Sequence, residues 1–417
     1  MIIENLISKK RNKEELSYNE IDYVINGFVN GSISEEEMTL FLQCICECSM
    51  TDEEIYSMTD IMVKSGNVLD LSDIKGIKVD KHSTGGVGDK TTLIIGPIIA
   101  CNDVIFNKMS GKSLGHTGGT IDKLLSIPGF KVDLSQKELV DSLNKIGMCI
   151  ISQSDNIVPA DKKIYSLRDK TDTTMSIPLI ASSIMSKKIA CNSDKILIDV
   201  KVGKGALLRT KDEAIQLSKI LCKIGKKYNK ETACIITNMN NPLGNMIGNS
   251  LEIKEVIEVL NGRGNRTLRE LCIYLSSYLL SIAKDIELNV AKEFVLETIN
   301  SGKAYNKFLE FVSNQGGNIK LLKYSNNIIE VRSNKEGYIT NIDALIVGNI
   351  VNKMANKEGH DYSVGVELLR HVGSYVNLNE VIAKVYANEL YSNNLIDAFT
   401  IEKDKKEQRI LEFIIKF

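Results

Sequence analysis

The chain has 417 residues, and its 52 Lys and Arg residues nearly balance 53 Asp and Glu residues, which gives a formal net charge of -1. This length is sufficient for two or three domains with a large core. The balanced charge excludes a bulk attraction to nucleic acid or to a membrane surface, and no apolar run approaches the ~20 residues of a membrane span. We therefore expect a globular protein of the cytoplasm that binds neither nucleic acid nor membrane.

Residues 1–66 show helical periodicity. Ser17 followed by Glu20, and Ser34 followed by Glu37, have the spacing of capping boxes. In a capping box a hydroxyl and a carboxylate satisfy free backbone N–H groups at the start of a helix. The pattern predicts an all-helical lobe.

Nine cysteines are spread along the chain. Cys44, Cys46 and Cys48 alternate as CxCxC, but they lie in a stretch whose apolar positions follow helical spacing. Thiols placed along one helix do not converge on a single ion, and the other six cysteines form no CxxC pair. We predict reduced core residues and neither a zinc site nor a disulfide framework.

From residue 77 the pattern changes to short apolar runs separated by glycine-rich turns and helical stretches. Strands are expected within residues 91–100, 103–111, 195–205 and 233–239. Such alternation is typical of an α/β domain with a mainly parallel sheet, here in two parts, 77–155 and 195–330. Ligand-binding loops leave the strands of these sheets at their carboxyl ends.

Two further segments differ from this domain. Residues 160–190 read as helical and interrupt the α/β pattern. Residues 331–417 consist of short β-rich pieces and turns, which predicts a C-terminal α+β segment with a structural role.

Two glycine-rich loops carry the chemistry. KHSTGGVGDK (81–90) and KMSGKSLGHTGGT (108–120) each combine lysines and hydroxyls with glycines, and each contains one histidine. Glycine lets backbone N–H groups turn toward one point, and lysines and hydroxyls add charge and donors around it. The two loops together predict one oxyanion held from both sides.

Generic phosphate motifs do not explain these loops. The GxxxxGK[ST] motif fails because Phe106 stands where its first glycine belongs, and in the other loop Asp89 separates Gly88 from Lys90. The dinucleotide pattern GxGxxG is absent from both loops. A nucleoside triphosphate or dinucleotide site is therefore not expected.

These loops, with YSLRDKTDTT (165–174) and SSIMSKK (182–188), resemble the pyrimidine nucleoside phosphorylase and thymidine phosphorylase family. The resemblance implies reversible cleavage of uridine, thymidine or deoxyuridine by inorganic phosphate, the co-substrate, to a free pyrimidine and a ribose or deoxyribose 1-phosphate. It also implies a homodimer formed through the helical lobe, a return of residues 160–190 to that lobe, and a C-terminal barrel-sandwich-like module. No organic cofactor is expected.

The resemblance also implies the site residues. Phosphate is assigned to Lys81, Ser83, Thr92, Lys108, Ser110 and Thr120. The pyrimidine ring is assigned to Tyr165, Arg168, Ser183 and Lys187, and catalysis to His82, Arg168 and Lys187. The residue types agree with these roles except at Thr92, which reads as the start of a buried strand. Ser183 and Lys187 are four apart on a predicted helix, so they present donors side by side.

A potassium ion is implied as well, on Gly88, Lys90, Leu243, Met246 and Glu255. Oxygen ligands suit such a hard cation. Lys90 departs from the family, which commonly has an uncharged residue there, and Lys112 and Ser113 replace an Arg-Gly pair. His116 is assigned a structural role in the second loop, and residues 352–363 lack a glycine- and arginine-bearing turn.

Three alternative functions remain open. A thymidine phosphorylase would accept only 2′-deoxynucleosides, and no motif in the sequence indicates whether the 2′-hydroxyl of ribose is recognised. A phosphoribosyltransferase would use the related fold. A non-catalytic binding protein would keep the phosphate loops but lose the base anchors, which Arg168, Ser183 and Lys187 argue against.

Overall fold

The computed structural model describes residues 2–111, 118–357, 359–392 and 394–406, together with the backbone of 411–416. Lys112, Ser113 and His116 lie outside the described residues, so their expected roles stay predictions.

The N-terminal lobe is a helical bundle. Its first four helices are α1 (Ile3–Arg11), α2 (Tyr18–Asn30), α3 (Glu35–Cys48) and α4 (Asp52–Lys64). Both predicted capping boxes are present, with Ser17 and Ser34 accepting from the backbone N–H of Glu20 and Glu37. Cys44, Cys46 and Cys48 lie along α3 with different exposures, as expected of a helix that buries one face.

The centre of the molecule is a six-stranded sheet. Its strands are β1 (Lys78–Ser83), β2 (Ile105–Ser110), β3 (Met148–Ser152), β4 (Lys195–Val202), β5 (Glu231–Asn238) and β13 (Leu411–Lys416). The order is β13-β5-β4-β1-β2-β3, and all neighbours are parallel except β13, which pairs antiparallel with β5. Because β1 lies between β4 and β2, its carboxyl end is at the middle of the edge from which ligand loops emerge.

Helices cover both faces of this sheet. They are α5 (Thr91–Ala100), α6 (Thr120–Leu125), α7 (Gln136–Ile146), α10 (Lys211–Lys227), α11 (Asn249–Leu260), α12 (Arg266–Lys284), α13 (Leu288–Asn300) and α14 (Lys303–Asn314). The expected strand at 91–100 is wrong, because these residues form α5. Residues 91–99 are all buried, and a continuous apolar run shows no period that separates a buried strand from a buried helix.

Two helices return from the sheet to the N-terminal bundle, as the resemblance implied. They are α8 (Pro159–Lys170), which packs on α2, α3 and α4, and α9 (Ile177–Ala190), which packs on α4. α9 also packs on α10 of the α/β domain, so it belongs to the boundary between the two parts of the molecule.

The C-terminal segment forms two small antiparallel sheets around α15 (Ala344–Ala355). One sheet contains β8 (Gly337–Ile342), β10 (Tyr375–Val376) and β12 (Phe399–Glu402). The other contains β6 (Met246–Ile247), β7 (Ile328–Arg332), β9 (Gly365–Leu368) and β11 (Val381–Tyr386). β6 comes from the α/β part of the chain, so the C-terminal segment is joined to the loop that precedes α11.

The predicted fold class is confirmed: a helical bundle, an α/β domain with a mainly parallel sheet, and antiparallel strands near the C-terminus. Among the described residues, none of the helices combines the length and the apolar content that crossing a bilayer requires. The sulfur atoms of Cys222 and Cys234 lie 3.7 Å apart in the core between α10 and β5, a proximity that their spacing did not indicate.

Two neighbouring lysines of α1 allow the contribution of a buried ion pair to the unfolding free energy to be compared with that of a partly exposed one. Lys10 lies 2.5 Å from Glu54, and both side chains are buried, whereas Lys9 lies 2.8 Å from Glu20 with both partly exposed. Lys10→Met leaves a buried carboxylate without its cation, and we expect a loss of about 3–5 kcal/mol in unfolding free energy. Lys9→Met is the matched control, with an expected loss of about 1 kcal/mol or less. Urea unfolding followed by circular dichroism measures both, and equal losses would contradict this account.

Candidate active site

The site is built at the carboxyl ends of β1 and β2. The first glycine-rich loop follows Ser83, the last residue of β1, and leads into α5. The second follows Ser110, the last residue of β2, and leads into α6, which begins at Thr120. Because β1 and β2 are adjacent and parallel, both loops leave the same edge of the sheet. The partial positive charge at the start of α5 therefore points to this edge.

Lys81 is buried on β1 and is held from two sides. Its Nζ lies 2.6 Å from Thr91 Oγ1 and 3.5 Å from Asp199 Oδ2. Asp199, on β4, also lies 2.7 Å from the Nζ of Lys201. The carboxylate of Asp199 thus pairs with two ammonium groups at the edge of the sheet.

Asp89 is a carboxylate of the first loop that sequence reasoning did not assign to the site. It accepts hydrogen bonds from the hydroxyls of Ser83 and Thr91. Burial raises its pKa, but the charges of Lys81 and Lys201, with those hydroxyls, outweigh burial and hold the pKa well below its usual range. Ser83 has one hydroxyl proton and donates it to Asp89, so it must turn away from Asp89 before it donates to an anion.

Lys108, on β2, is a buried lysine whose pKa is shifted by its surroundings. Its Nζ donates to the Lys81 carbonyl at 2.8 Å and lies 3.8 Å from Asp80 Oδ1. Burial, followed by the charge of Lys188, lowers its pKa to about 7. A bound anion would favour the charged form, because an opposite charge raises the pKa of an ammonium group.

His82 lies on β1 between Lys81 and Ser83. Burial, and then the charges of Lys188, Lys108 and other lysines, hold its pKa well below its ordinary value. The ring is therefore neutral at neutral pH. A neutral imidazole can donate one N–H and accept at the other nitrogen.

The residues assigned to the base form a second cluster on α8 and α9. Lys187 Nζ lies 2.8 Å from Ser183 Oγ, one turn away, and 5.4 Å from the centre of the Tyr165 ring. It also lies 2.5 Å from the carboxylate of Asp161, which is buried in the first turn of α8. Sequence reasoning missed Asp161, because no spacing rule connects residues on different helices.

Arg168, which the resemblance assigned to the pyrimidine ring, is largely engaged by the backbone. Its guanidinium donates to the carbonyls of Thr173, Thr174 and Leu179 at 3.2, 2.9 and 3.1 Å. The side chain is buried, and burial lowers its pKa. Three of the five N–H donors thus order the turn between α8 and α9, and two remain for a ligand.

One buried ion pair joins α9 to the sheet. Lys188 Nζ lies 2.7 Å from Asp80 Oδ2 on β1 and 3.0 Å from the Met109 carbonyl on β2. The sequence of β1, KVDKHS, contains charged residues, and charged residues rarely stay buried without partners, so Asp80 needs such a partner.

The residues implied for potassium meet, but they do not fit a metal ion. Lys90 Nζ lies 2.9 Å from the Leu243 carbonyl, 2.8 Å from the Met246 carbonyl and 2.6 Å from Glu255 Oε2. An ammonium group already contacts the oxygens that a cation would need. Glu255 is fully buried rather than on a charged helix face.

Comparisons with known proteins show the family to which the chain belongs. The family profile described as "Glycosyl transferase family, a/b domain" matches residues 75–305, and the profile described as "Glycosyl transferase family, helical bundle domain" matches residues 4–66. A pyrimidine-nucleoside phosphorylase of Staphylococcus epidermidis is 41% identical over 427 residues, which cover 99% of each chain. The chain belongs to the pyrimidine-nucleoside phosphorylase family. A pyrimidine-nucleoside phosphorylase of Staphylococcus aureus is 42% identical and covers 92% of each chain.

A solved structure shares the fold of this family member. Anthranilate phosphoribosyltransferase from Thermus thermophilus superimposes with a TM-score of 0.60 over 74% of this chain and 98% of its own. The two sequences are 14% identical, so the likeness concerns the fold alone.

Lys108 generates a prediction about protons. Sulfate stays dianionic across neutral pH, so it mimics phosphate without titrating. At about pH 8 a lysine with a pKa of about 7 is mostly neutral, and a bound dianion should recharge it. We expect up to about one proton to be taken up per sulfate bound, and the sulfate affinity should fall as pH rises through this pKa. Calorimetry in buffers of different ionisation enthalpy measures the uptake.

Two variants check the source of that proton. Lys108→Met should abolish the uptake, and Lys137→Met, at an exposed position, should leave it unchanged. Uptake that persists in Lys108→Met would assign the proton to another group.

Proposed function

We propose that this protein is a pyrimidine-nucleoside phosphorylase, a pentosyltransferase. It catalyses the reversible phosphorolysis of uridine, thymidine and deoxyuridine to the free base and a ribose or deoxyribose 1-phosphate. The observation that carries the proposal is the pairing of two clusters. An edge of the sheet with surplus buried positive charge suits phosphate, and the cluster of Tyr165, Ser183 and Lys187 suits a planar, polar ring.

Phosphate is bound between the two glycine-rich loops. Lys81 and Lys108 supply charge, and the remaining ligands are Ser83, Thr92, Ser110 and Thr120. Thr92 lies in the first turn of α5, so it joins the site as part of a helix N-terminus and not as a strand residue. Fixing phosphate below C1′ of the sugar converts a bimolecular attack into one between held partners, which can contribute about 7–11 kcal/mol.

The pyrimidine is the leaving group. A phosphate oxygen forms a bond to C1′ while the C1′–N1 bond breaks, and the bonding electrons pass to the base. Negative charge then develops on the two carbonyl oxygens of the ring. Lys187 stabilises this charge, Ser183 adds a hydroxyl donor, and the neutral His82 donates an N–H. Such groups act more strongly on the transition state than on the substrate.

Arg168 contributes in two ways. Its bonds to three carbonyls order the turn between α8 and α9, and its two remaining N–H donors reach the base. Asp161 is a positioning residue, because its carboxylate holds the ammonium of Lys187 beside Ser183.

The same proposal includes the assembly and the compartment. The protein is a homodimer that associates through the helical bundle, where Leu40 of α3 is half exposed. It acts in the cytoplasm, in agreement with nine cysteines that lack the spacing of a disulfide framework. Inorganic phosphate is the co-substrate, and no organic cofactor takes part.

The reaction itself is tested by its dependence on phosphate. Uridine, thymidine, deoxyuridine and cytidine are incubated with and without phosphate, and with arsenate, while free base and sugar 1-phosphate are measured. We expect base release only with phosphate or arsenate, because the cationic loops serve an anionic nucleophile. Base release at the same rate in phosphate-free buffer would exclude a phosphorylase. Activity confined to 2′-deoxynucleosides would identify a thymidine phosphorylase, and no activity would indicate a binding protein.

Lys187 separates base recognition from phosphate binding. Lys187→Met keeps the apolar stem and removes the charge. We expect kcat/KM for the nucleoside to fall by the equivalent of about 2–4 kcal/mol, similar to the loss of one oxyanion donor. Sulfate affinity should change little, because Lys187 lies in the base cluster. Lys162→Met, which removes an exposed lysine of α8, is the control and should change neither.

A second variant tests the role of Asp161 through Lys187. Asp161→Asn should lower kcat/KM, and combining it with Lys187→Met should add little further loss, since one change releases and the other removes the same ammonium group. Fully additive losses would show that Asp161 acts independently of Lys187.

A further inference from the structure

The ammonium group of Lys90 has all of its hydrogen-bonding capacity satisfied by one chain segment. Lys90 ends the first loop and precedes α5, and its side chain is 1% exposed. Its Nζ contacts the carbonyls of Leu243 and Met246 and the carboxylate of Glu255, at 2.6–2.9 Å. An ammonium group has three N–H donors, so each one has an acceptor.

Glu255 is equally well satisfied. One carboxylate oxygen accepts from the Asn245 N–H at 2.6 Å, and the other accepts from the Met246 N–H at 2.9 Å and from Lys90. A buried carboxylate with several donors and one cation is electrically balanced. A metal ion added here would place a second positive charge beside the ammonium group.

The backbone packs so closely around this ion pair that two glycine positions beside it have no room for a side chain. Gly244 has a φ of +85°, and a Cβ there would lie 2.8 Å from Lys90 Nζ and 2.5 Å from a Glu255 oxygen. A Cβ on Gly88 would lie 2.5 Å from the Leu243 carbonyl oxygen. The two loops therefore pack closely against each other at glycine positions.

We propose that Lys90 is a built-in cation. Its ammonium group holds the first glycine-rich loop against residues 243–246, in place of an exchangeable monovalent ion. Lys90 is a positioning residue, because its ammonium group contacts Leu243, Met246 and Glu255 and not the hydroxyls of Ser83 or Thr84. It acts by fixing the backbone of residues 84–90. Since its charge is covalently attached, the stability of this protein does not depend on the potassium concentration. The inference concerns the folded structure and does not rest on the proposed reaction.

The unmodified protein gives the first test. Thermal unfolding is measured in potassium chloride, sodium chloride and tetramethylammonium chloride at equal ionic strength. We expect the same Tm in all three salts, because a ligand raises stability only when the folded state binds it. A Tm that rises with potassium concentration but not with tetramethylammonium would overturn the proposal, and this result requires no variant to fold.

A variant then recreates the exchangeable site. Lys90→Thr removes the ammonium group and leaves two carbonyls and a carboxylate facing the vacated space. We expect a Tm below that of the unmodified protein in tetramethylammonium chloride and a potassium-dependent recovery. A loss of the same size in all three salts would overturn the claim that the ammonium group stands in a cation site. A Tm equal to that of the unmodified protein in every salt would overturn its role in holding the loop.

Lys10→Thr is the matched control. Lys10 is also buried, and its Nζ lies 2.5 Å from the carboxylate of Glu54, with no backbone carbonyl hydrogen-bonded to it among the described residues. Its loss should lower Tm without potassium-dependent recovery, because a single carboxylate does not form a cation site, whereas a general stabilisation by potassium would act on both variants. Recovery of both variants to the same extent would count against the proposal.

Crystals give a direct readout. In Lys90→Thr crystals soaked in rubidium chloride, we expect an anomalous peak between the carbonyls of Leu243 and Met246 and the carboxylate of Glu255. Crystals of the unmodified protein should lack that peak. A peak there in the unmodified protein would show that Lys90 does not exclude the ion.

Discussion

Buried positive charge at the carboxyl edge of β1 is the constraint on which the rest of the molecule depends. Lys81 and Lys201 share Asp199, and Lys108 and Lys188 share Asp80. Removing a charge from water costs much free energy unless the charge is paired, so these lysines need both their aspartates and a rigid surrounding.

Asp89 supplies one more carboxylate at this edge. The remaining positive charge makes this edge a place where an anion binds favourably and where His82 stays neutral.

Helix α9 connects this edge to the helical bundle. Adjacent residues on an α-helix point about 100° apart, and α9 uses this for two tasks. Lys188 faces the sheet and pairs with Asp80, whereas Lys187 faces α8 and is held by Asp161. The helix that carries Ser183 and Lys187 is therefore anchored to the sheet through the residue next to Lys187. Any movement of the bundle relative to the sheet must be accommodated around this pair.

The Lys90 pair shows a second way to use a buried ammonium group. Near β1 the lysines outnumber their carboxylates, so charge is left for a ligand. At Glu255 the charges are equal and every N–H of Lys90 is used, so nothing is left to bind. The first group of lysines thus has charge available for a ligand, whereas the charge of Lys90 is used within the protein.

The sequence by itself determined the local features of this protein, because these depend only on residues that are close together in the chain. The capping boxes at Ser17 and Ser34, the two glycine-rich loops and the pairing of Ser183 with Lys187 all follow from residues within about one helical turn or one loop. The α/β class followed from the alternation of apolar runs and helical stretches. These features need no knowledge of the rest of the chain.

Tertiary structure alone decided the rest, because the deciding partners are far apart in the sequence. Lys90 contacts Glu255 across 165 residues, and Lys187 contacts Asp161 across 26 residues on another helix. The fold also places three backbone carbonyls around the guanidinium of Arg168, which its sequence position does not indicate. The sequence could not show that residues 91–100 form a helix, because residues 91–99 are all buried and lack the periodic pattern that separates helix from strand. Composition and spacing carry no information about which distant charge will meet a buried lysine.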